Sequence, residues 1–164
     1  MKRGRRENMC GNITIRVATM EDAQTLIEFN RAMALETEHK HLVADTLSQG
    51  VKKLLSNPDL GFYLVAESGR ETLGSLMVTT EWSDWRDGIF WWIQSVYVKL
   101  NWRRRGVFRS LYNFVKELAK EDPSVCGFRL YVERNNLSAQ KTYEAVGMHK
   151  TPYRLFEELK DGIE

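Results

Sequence analysis

Hydrophobic positions change their period several times along the chain, and each change marks an element. Asn12 to Ala18 alternates side-chain character and is rich in β-branched residues, the pattern of a half-buried strand. Thr19 and Asp22 match the Ser/Thr-x-x-acid signal of a helix start, and Ala23, Leu26, Ile27 and Asn30 share one face of the helix it opens. A second helical stretch takes Asp45 as its N-cap, turns Leu47, Val51, Leu54 and Leu55 inward and stops before Pro58. Three β segments come next: Gly61 to Glu67, Glu71 to Trp82 and Gly88 to Val98. The first pair is joined by Ser68-Gly69-Arg70, a tight-hairpin signal, and the second by the turn formers of Ser83 to Asp87, so the three predict an antiparallel meander. Residues 104–121 put Phe108, Leu111, Tyr112, Val115, Leu118 and Ala119 at helical spacing, ending near Asp122-Pro123. Phe128 to Glu133 predicts a strand, Leu137 to Val146 a helix closed by Gly147, and Met148 to Leu159 one or two final strands.

The strand from 88 to 98, the helix from 104 and the strand from 128 form a βαβ unit, which makes those two strands parallel neighbours. A mixed sheet in an α/β fold is expected, with one domain over residues 12–164 behind a flexible basic leader, residues 1–11. Neither a repeat nor a linker interrupts the series.

Charge sharpens this picture. The 164 residues carry a net charge of +2, but Lys2, Arg3, Arg5 and Arg6 supply +4, and from residue 7 onward 20 basic and 22 acidic residues leave −2. A globally basic nucleic-acid binder is disfavoured. No stretch approaches the roughly 18 consecutive apolar residues of a membrane helix, and no apolar run comes after the basic start, so the expectation is a cytoplasmic protein without membrane partners. Cys10 and Cys126 are too few for a disulfide framework and form no metal-ligand cluster with His39, His41 or His149.

The most informative stretch runs from Gln94 to Leu111. A strand ends at Val98, Lys99 to Trp102 forms a short loop, and Arg103, Arg104 and Arg105 lead to Gly106 and a long amphipathic helix. The first amides of such a helix have no partner within it, and the positive end of the macrodipole lies there. Gly106 removes the Cβ that would hold a ligand off the backbone, and Arg109 adds charge at the same point. This is an anion cradle, though neither G-x-G-x-x-G nor Gly-Lys-Ser/Thr is present. A solvated helix start is the alternative reading.

Arg103-Arg-Arg-Gly106-Val-Phe108 resembles the coenzyme A signature of the GNAT superfamily of N-acetyltransferases, Gln/Arg-x-x-Gly-x-Gly/Ala, matching at Arg103 and Gly106 and departing at Phe108. Asn136-Leu-Ser-Ala139, Tyr143 and Gly147-Met148 are similar to that family's later Asn-x-x-Ala, Tyr and Gly-Phe/Met series, and Ile15 to Asp22 resembles its first strand and helix entry. The resemblance implies a mixed, mostly antiparallel sheet of about six to seven strands flanked by about four helices. It also implies acetyl-CoA as cofactor and N-acetyl transfer as activity. By the same resemblance, backbone groups of Val96, Tyr97 and Val98 pair with the pantetheine arm and Arg103, Arg104, Arg105, Gly106, Val107, Phe108 and Arg109 surround the pyrophosphate. Asn136 touches the coenzyme, the N–H of Val96 serves the oxyanion, and Tyr143 is the general acid.

Where family members often carry a Glu, this chain has Gln94. Glu81 is therefore the candidate base, with Asp84, Glu38 and His39 behind it. The expected acceptor regions, around Glu36 to His41 and Glu81 to Asp87, interleave acids with aromatics, so Glu38, Trp82, Asp84, Trp85 and Trp92 predict a small cationic amine as partner. A homodimer surface is the other reading of the tryptophans. Two rival functions stay open: a degenerate acyl-CoA-binding sensor, suggested by Phe108 and Gln94, and a nucleic-acid module built on Arg3, Arg5, Arg6, Arg103 to Arg105 and Trp102.

Overall fold

The computed structural model describes residues 6–8 and 13–163. Lys2, Arg3 and Arg5 of the leader, and Cys10, lie outside them. The chain divides into two compact units, Met1–Glu133 and Arg134–Glu164.

The first unit holds a six-stranded sheet whose spatial order follows the sequence: β1 (Arg6–Asn8), β2 (Ile13–Val17), β3 (Phe62–Ser68), β4 (Glu71–Ser83), β5 (Gly88–Val98) and β6 (Val125–Arg129). The first five pair antiparallel, and β6 joins β5 in parallel, as the βαβ reading requires. This is the expected mixed, mostly antiparallel sheet. The hairpin turn at Gly69-Arg70 is as tight as its sequence predicts, with Gly69 at φ 61°.

Helices α1 (Ala23–Glu38) and α2 (Ala44–Ser56) cover the sheet face carrying Tyr63 and Val65, burying Leu26, Ile27, Val51 and Leu54 against it. Helix α3 (Val107–Lys120) packs on β2, β3 and β4 from the other side, over the fully buried Leu64, Leu76 and Val78. The Thr19/Asp22 capping box forms, with the Thr19 amide donating to Asp22 Oδ2 at 2.7 Å. It closes a 3-10 turn, Met20–Asp22, so α1 itself begins at Ala23.

Three boundaries differ from the sequence reading. Helix α2 starts at Ala44 behind an extended Val43, which places Asp45 in the first turn rather than at the cap; there its charge still meets the positive end of the helix dipole. Strand β6 runs Val125–Arg129 rather than Phe128 to Glu133, because its pairing with β5 begins at Val125 and covers only Ile89 to Trp92. Its Gly127, a poor strand former, sits under the Phe90 ring, where a Cβ would come within 2.7 Å. Finally, no strand forms in residues 148–159. Pro152 removes a ladder donor there, and Tyr153, Leu155 and Phe156 are exposed.

The second unit contains α4 (Leu137–Ala145), bounded by Asn136 and by Gly147 at φ 93°, as predicted within one residue. No helix among the described residues is long and apolar enough to cross a membrane.

Candidate active site

Strand β5 is paired on both edges only through Trp92. From Ile93 to Val98, β4 holds one edge and no strand among the described residues holds the other. A β-bulge interrupts this half. Ser75 pairs with Tyr97 and Met77 with Gln94, so Ser95 and Val96 together face one β4 residue, and Ser95 adopts φ 48°. A left-handed backbone at a residue with a side chain costs about 1–2 kcal/mol. Beyond the bulge the two strands approach so closely that a Cβ on Gly74 would lie 2.5 Å from the Tyr97 carbonyl oxygen. The bulge interrupts the regular ladder beside Val96 and Tyr97, on the half of β5 whose second edge no described strand pairs with.

Arg103 anchors that end. Its Nε donates to the Val98 carbonyl at 2.8 Å, one terminal nitrogen donates to Glu36 of α1 at 2.6 Å, and the guanidinium lies 5.6 Å from the Tyr97 ring centre. Burial pushes the Tyr97 phenol up, and the charge of Glu36 adds to the shift while Arg103 opposes it. Arg103 is thus committed to the protein, and the carbonyl of Val98 is taken. Arg104, Arg105 and Arg109 are exposed as well, with Arg105 stacked 5.3 Å from the Trp102 ring centre.

The loop then turns through Arg104 at φ 62° and Gly106 at φ 80° into α3. Gly106 is the N-cap, no side chain caps the helix, and a Cβ at this position would meet nothing within 4 Å. The glycine therefore serves the backbone conformation and leaves open space before the first-turn amides. Val107 and Phe108 are buried, Phe108 stacked at 6.0 Å on Tyr112. The departure from a small residue at 108 is thus absorbed by the core, away from the cradle.

On the α1/α2 face, one end of the sheet carries a polar cluster. The Glu81 carboxylate accepts from Trp92 Nε1 through one oxygen and from Arg129 at 2.6 Å through the other. Arg129 lies 3.7 Å from the Phe90 ring centre, Trp92 packs on Tyr131, and Gln94 Nε2 donates to Thr79 Oγ1 at 2.6 Å. Glu81 and Trp92 are brought together, whereas Trp82 and Trp85 project outward, Trp85 being 85% exposed. Glu38 pairs with Lys40 at 2.9 Å, and Asp84 accepts from the Trp85 amide at 2.9 Å. His39 ends α1 in a left-handed conformation.

In the second unit, Asn136 caps α4 by accepting from the Ala139 amide at 3.1 Å. Burial pushes the Tyr143 phenol up, so it stays protonated across the neutral range.

The sequence reading missed the bulge and the partners of Glu81. Two consecutive polar residues, Gln94 and Ser95, break the alternation of β5 and were the available signal. The Arg129 pairing depends on a strand register that no local pattern encodes.

The chain matches the family model described as Acetyltransferase (GNAT) family over residues 21–148. No curated protein matches it. Among solved structures, it is similar to a possible acetyltransferase from Clostridium difficile 630, with 43% identity, a TM-score of 0.83, and coverage of 90% of this chain and 97% of that one. The fold is also that of an aminoglycoside acetyltransferase from an uncultured soil metagenomic sample, solved with sisomicin, at 16% identity, a TM-score of 0.74 and coverage of 91% and 97%. It is shared by AAC(6')-Iy, solved with the bisubstrate analogue CoA-S-monomethyl-acetylneamine, at 16% identity, a TM-score of 0.71 and coverage of 90% and 98%. An unpaired strand edge running into an uncapped helix start is what these comparisons explain: the chain belongs to the GNAT family of acetyltransferases.

Proposed function

We propose that the protein moves an acetyl group from acetyl-CoA to the amine of a small cationic acceptor. The observation that carries this reading is the unpaired half of β5 leading into the open, uncapped start of α3. An extended amide-bearing arm fits the strand edge, where Val96 and Tyr97 offer main-chain groups. A pyrophosphate fits the first-turn amides of Val107 and its neighbours, with Arg104, Arg105 and Arg109 for charge. The coenzyme supplies the acyl thioester when bound.

Amine attack needs a base for the amine proton, stabilisation of the developing oxyanion and an acid for the departing thiolate. The Val96 N–H serves the oxyanion. Glu81 accepts the amine proton through water: its oxygens keep lone pairs beyond those used by Arg129 and Trp92, which hold the carboxylate in place. Tyr143, protonated at neutral pH, gives its proton to the sulfur. Asn136 holds the start of α4 and touches the coenzyme from there.

The acceptor's charge is read from Asp84 and the aromatic Trp92, since Glu38 and Glu81 already have basic partners, while Trp82 lies on the opposite sheet face from Trp92 and Trp85 projects outward. The two fold neighbours that are aminoglycoside acetyltransferases favour the same class of acceptor.

Acetyl-CoA at about 100 times its Kd should stabilise the protein by about 2.7 kcal/mol. For a chain of this size that raises Tm by about 5–10 °C. A thiol-release assay with diamines, polyamines and aminoglycosides then identifies the acceptor. No thermal shift with acetyl-CoA would remove the donor, and release only with neutral amines would remove the cationic acceptor.

A further inference from the structure

Arg103 reaches back over the loop that it ends. Its Nε donates to the Val98 carbonyl, five residues earlier, at 2.8 Å, while a terminal nitrogen donates to Glu36 Oε2 of α1 at 2.6 Å. The guanidinium lies 5.6 Å from the Tyr97 ring centre, and that ring packs on Phe29 of α1 at 4.9 Å. Within the loop, the Trp102 amide donates to the Lys99 carbonyl at 2.9 Å, and the Lys99 amide donates to the Leu73 carbonyl of β4 at 2.9 Å. These bonds fold residues 99–103 onto the end of β5, and Glu36 ties the fold to α1.

The side chains of Arg103 and Glu36 are 39% and 33% exposed. A pair so open to solvent adds little to stability; what it supplies is orientation. A guanidinium carries its donors in a fixed fork, so a carboxylate that holds one arm also aims the other. The folded loop sets how far the main-chain groups of Val96 and Tyr97 stand from the first-turn amides of α3. We infer that Glu36, in a region whose acids the sequence assigns to the acceptor, is a positioning residue for the coenzyme: through Arg103 it holds the loop at the span that lets one molecule engage the β5 edge and the α3 start together. Two linked contacts multiply affinity only while the geometry lets both engage. Arg103 is then a strut whose charge is answered by Glu36, and Arg104, Arg105 and Arg109 supply the charge for the pyrophosphate. The consequence for affinity rests on the acetyl-CoA reading; the consequence for the fork does not.

The test combines Glu36→Ala and Arg103→Lys in the full chain, singly and together. In labelled protein without ligand, Glu36→Ala should speed exchange of the Arg103 Nε–Hε proton with water severalfold. By calorimetry, the same substitution should weaken acetyl-CoA binding about 5-fold. Binding of ADP, whose pyrophosphate reaches only the α3 start, should stay within about 2-fold by ligand-observed NMR. Arg103→Lys keeps the charge but loses the fork, so it should weaken acetyl-CoA by the same factor as Glu36→Ala. The double variant should be no weaker than either single one, since residues acting as one unit couple. The sign decides most: if Arg103 serves as a ligand of the coenzyme, removing Glu36 frees it and acetyl-CoA binds as well or better, which overturns the proposal. Additive losses, equal weakening of ADP, or unchanged Nε–Hε exchange in Glu36→Ala overturn it too. A wild-type chain that does not bind acetyl-CoA defeats the coenzyme reading instead, and the exchange rate still decides whether Glu36 holds the fork.

Discussion

At the scale of single residues, some charges in this protein are held by partners rather than left to solvent. Arg16 donates to both oxygens of Asp22, at 2.7 and 2.8 Å, and to Glu67 at 2.5 Å, joining β2, the entry to α1 and β3. Burial pushes the Asp22 carboxyl up, but the Arg16 hydrogen bonds and the Thr19 amide outweigh it and the net shift is downward. A carboxyl lowered in the folded state contributes stability above its unfolded pKa and loses it as pH falls through the folded value. Asp22→Asn should therefore cost about 1–3 kcal/mol at pH 7, with the gap to wild type closing below about pH 4 in urea titrations. A gap that stays constant to pH 3 would show that Asp22 is not the titrating group. Tyr143→Phe should lower kcat about 100-fold while acetyl-CoA binding measured by calorimetry is kept. Unchanged turnover would make the phenol packing. Glu81→Gln should erase the acidic limb of the pH–rate profile, and a profile that keeps it excludes Glu81 as base.

At the scale of elements, the sequence was readable wherever a local rule governs. The Thr19/Asp22 box, the Gly69 hairpin and the Gly147 stop each depend on a few neighbouring residues, and each lies where expected. The bulge and the reach of β6 were hidden because they depend on which strand lies alongside. Asp45 falls inside the first turn instead of at the cap because a helix start tolerates acids at several positions. The cradle at α3 falls between these cases: its arginines and Gly106 were visible, but the commitment of Arg103 to Glu36 and Val98 needs α1 in place. Gly106→Ala isolates the backbone's share. The new Cβ has open space, so the substitution should cost only the left-handed conformation, about 1–2 kcal/mol in thermal unfolding. It should also weaken acetyl-CoA binding severalfold as the first-turn amides shift. Unaltered affinity would show that the loop conformation does not matter to the ligand.

At the scale of the molecule, the pattern of charges was legible as a distribution but not as a set of bonds. Acids gathered at the predicted acceptor regions are present, yet Glu36, Glu38 and Glu81 face Arg103, Lys40 and Arg129. Composition counts charges, and only the fold tells which of them are already answered. The absent strands of residues 148–159 make the same point for apolar residues: Phe156, 90% exposed, has hydrophobic character without a pairing partner to order it.

The sheet's neighbours in space are also its neighbours in sequence, from β1 to β5. Strands β3, β4 and β5 can zip as the chain lengthens, each closing a short loop onto the one before, whereas β3 reaches β2 only across α1 and α2. β6 alone must wait for α3. Until then β5 exposes its whole outer edge, the kind of template on which other chains pair and aggregate. β6 shields only the Ile89 to Trp92 half when it arrives. Among the described residues no strand pairs with the remaining half; a coenzyme lying along it would act as the missing strand and as a guard against the wrong one.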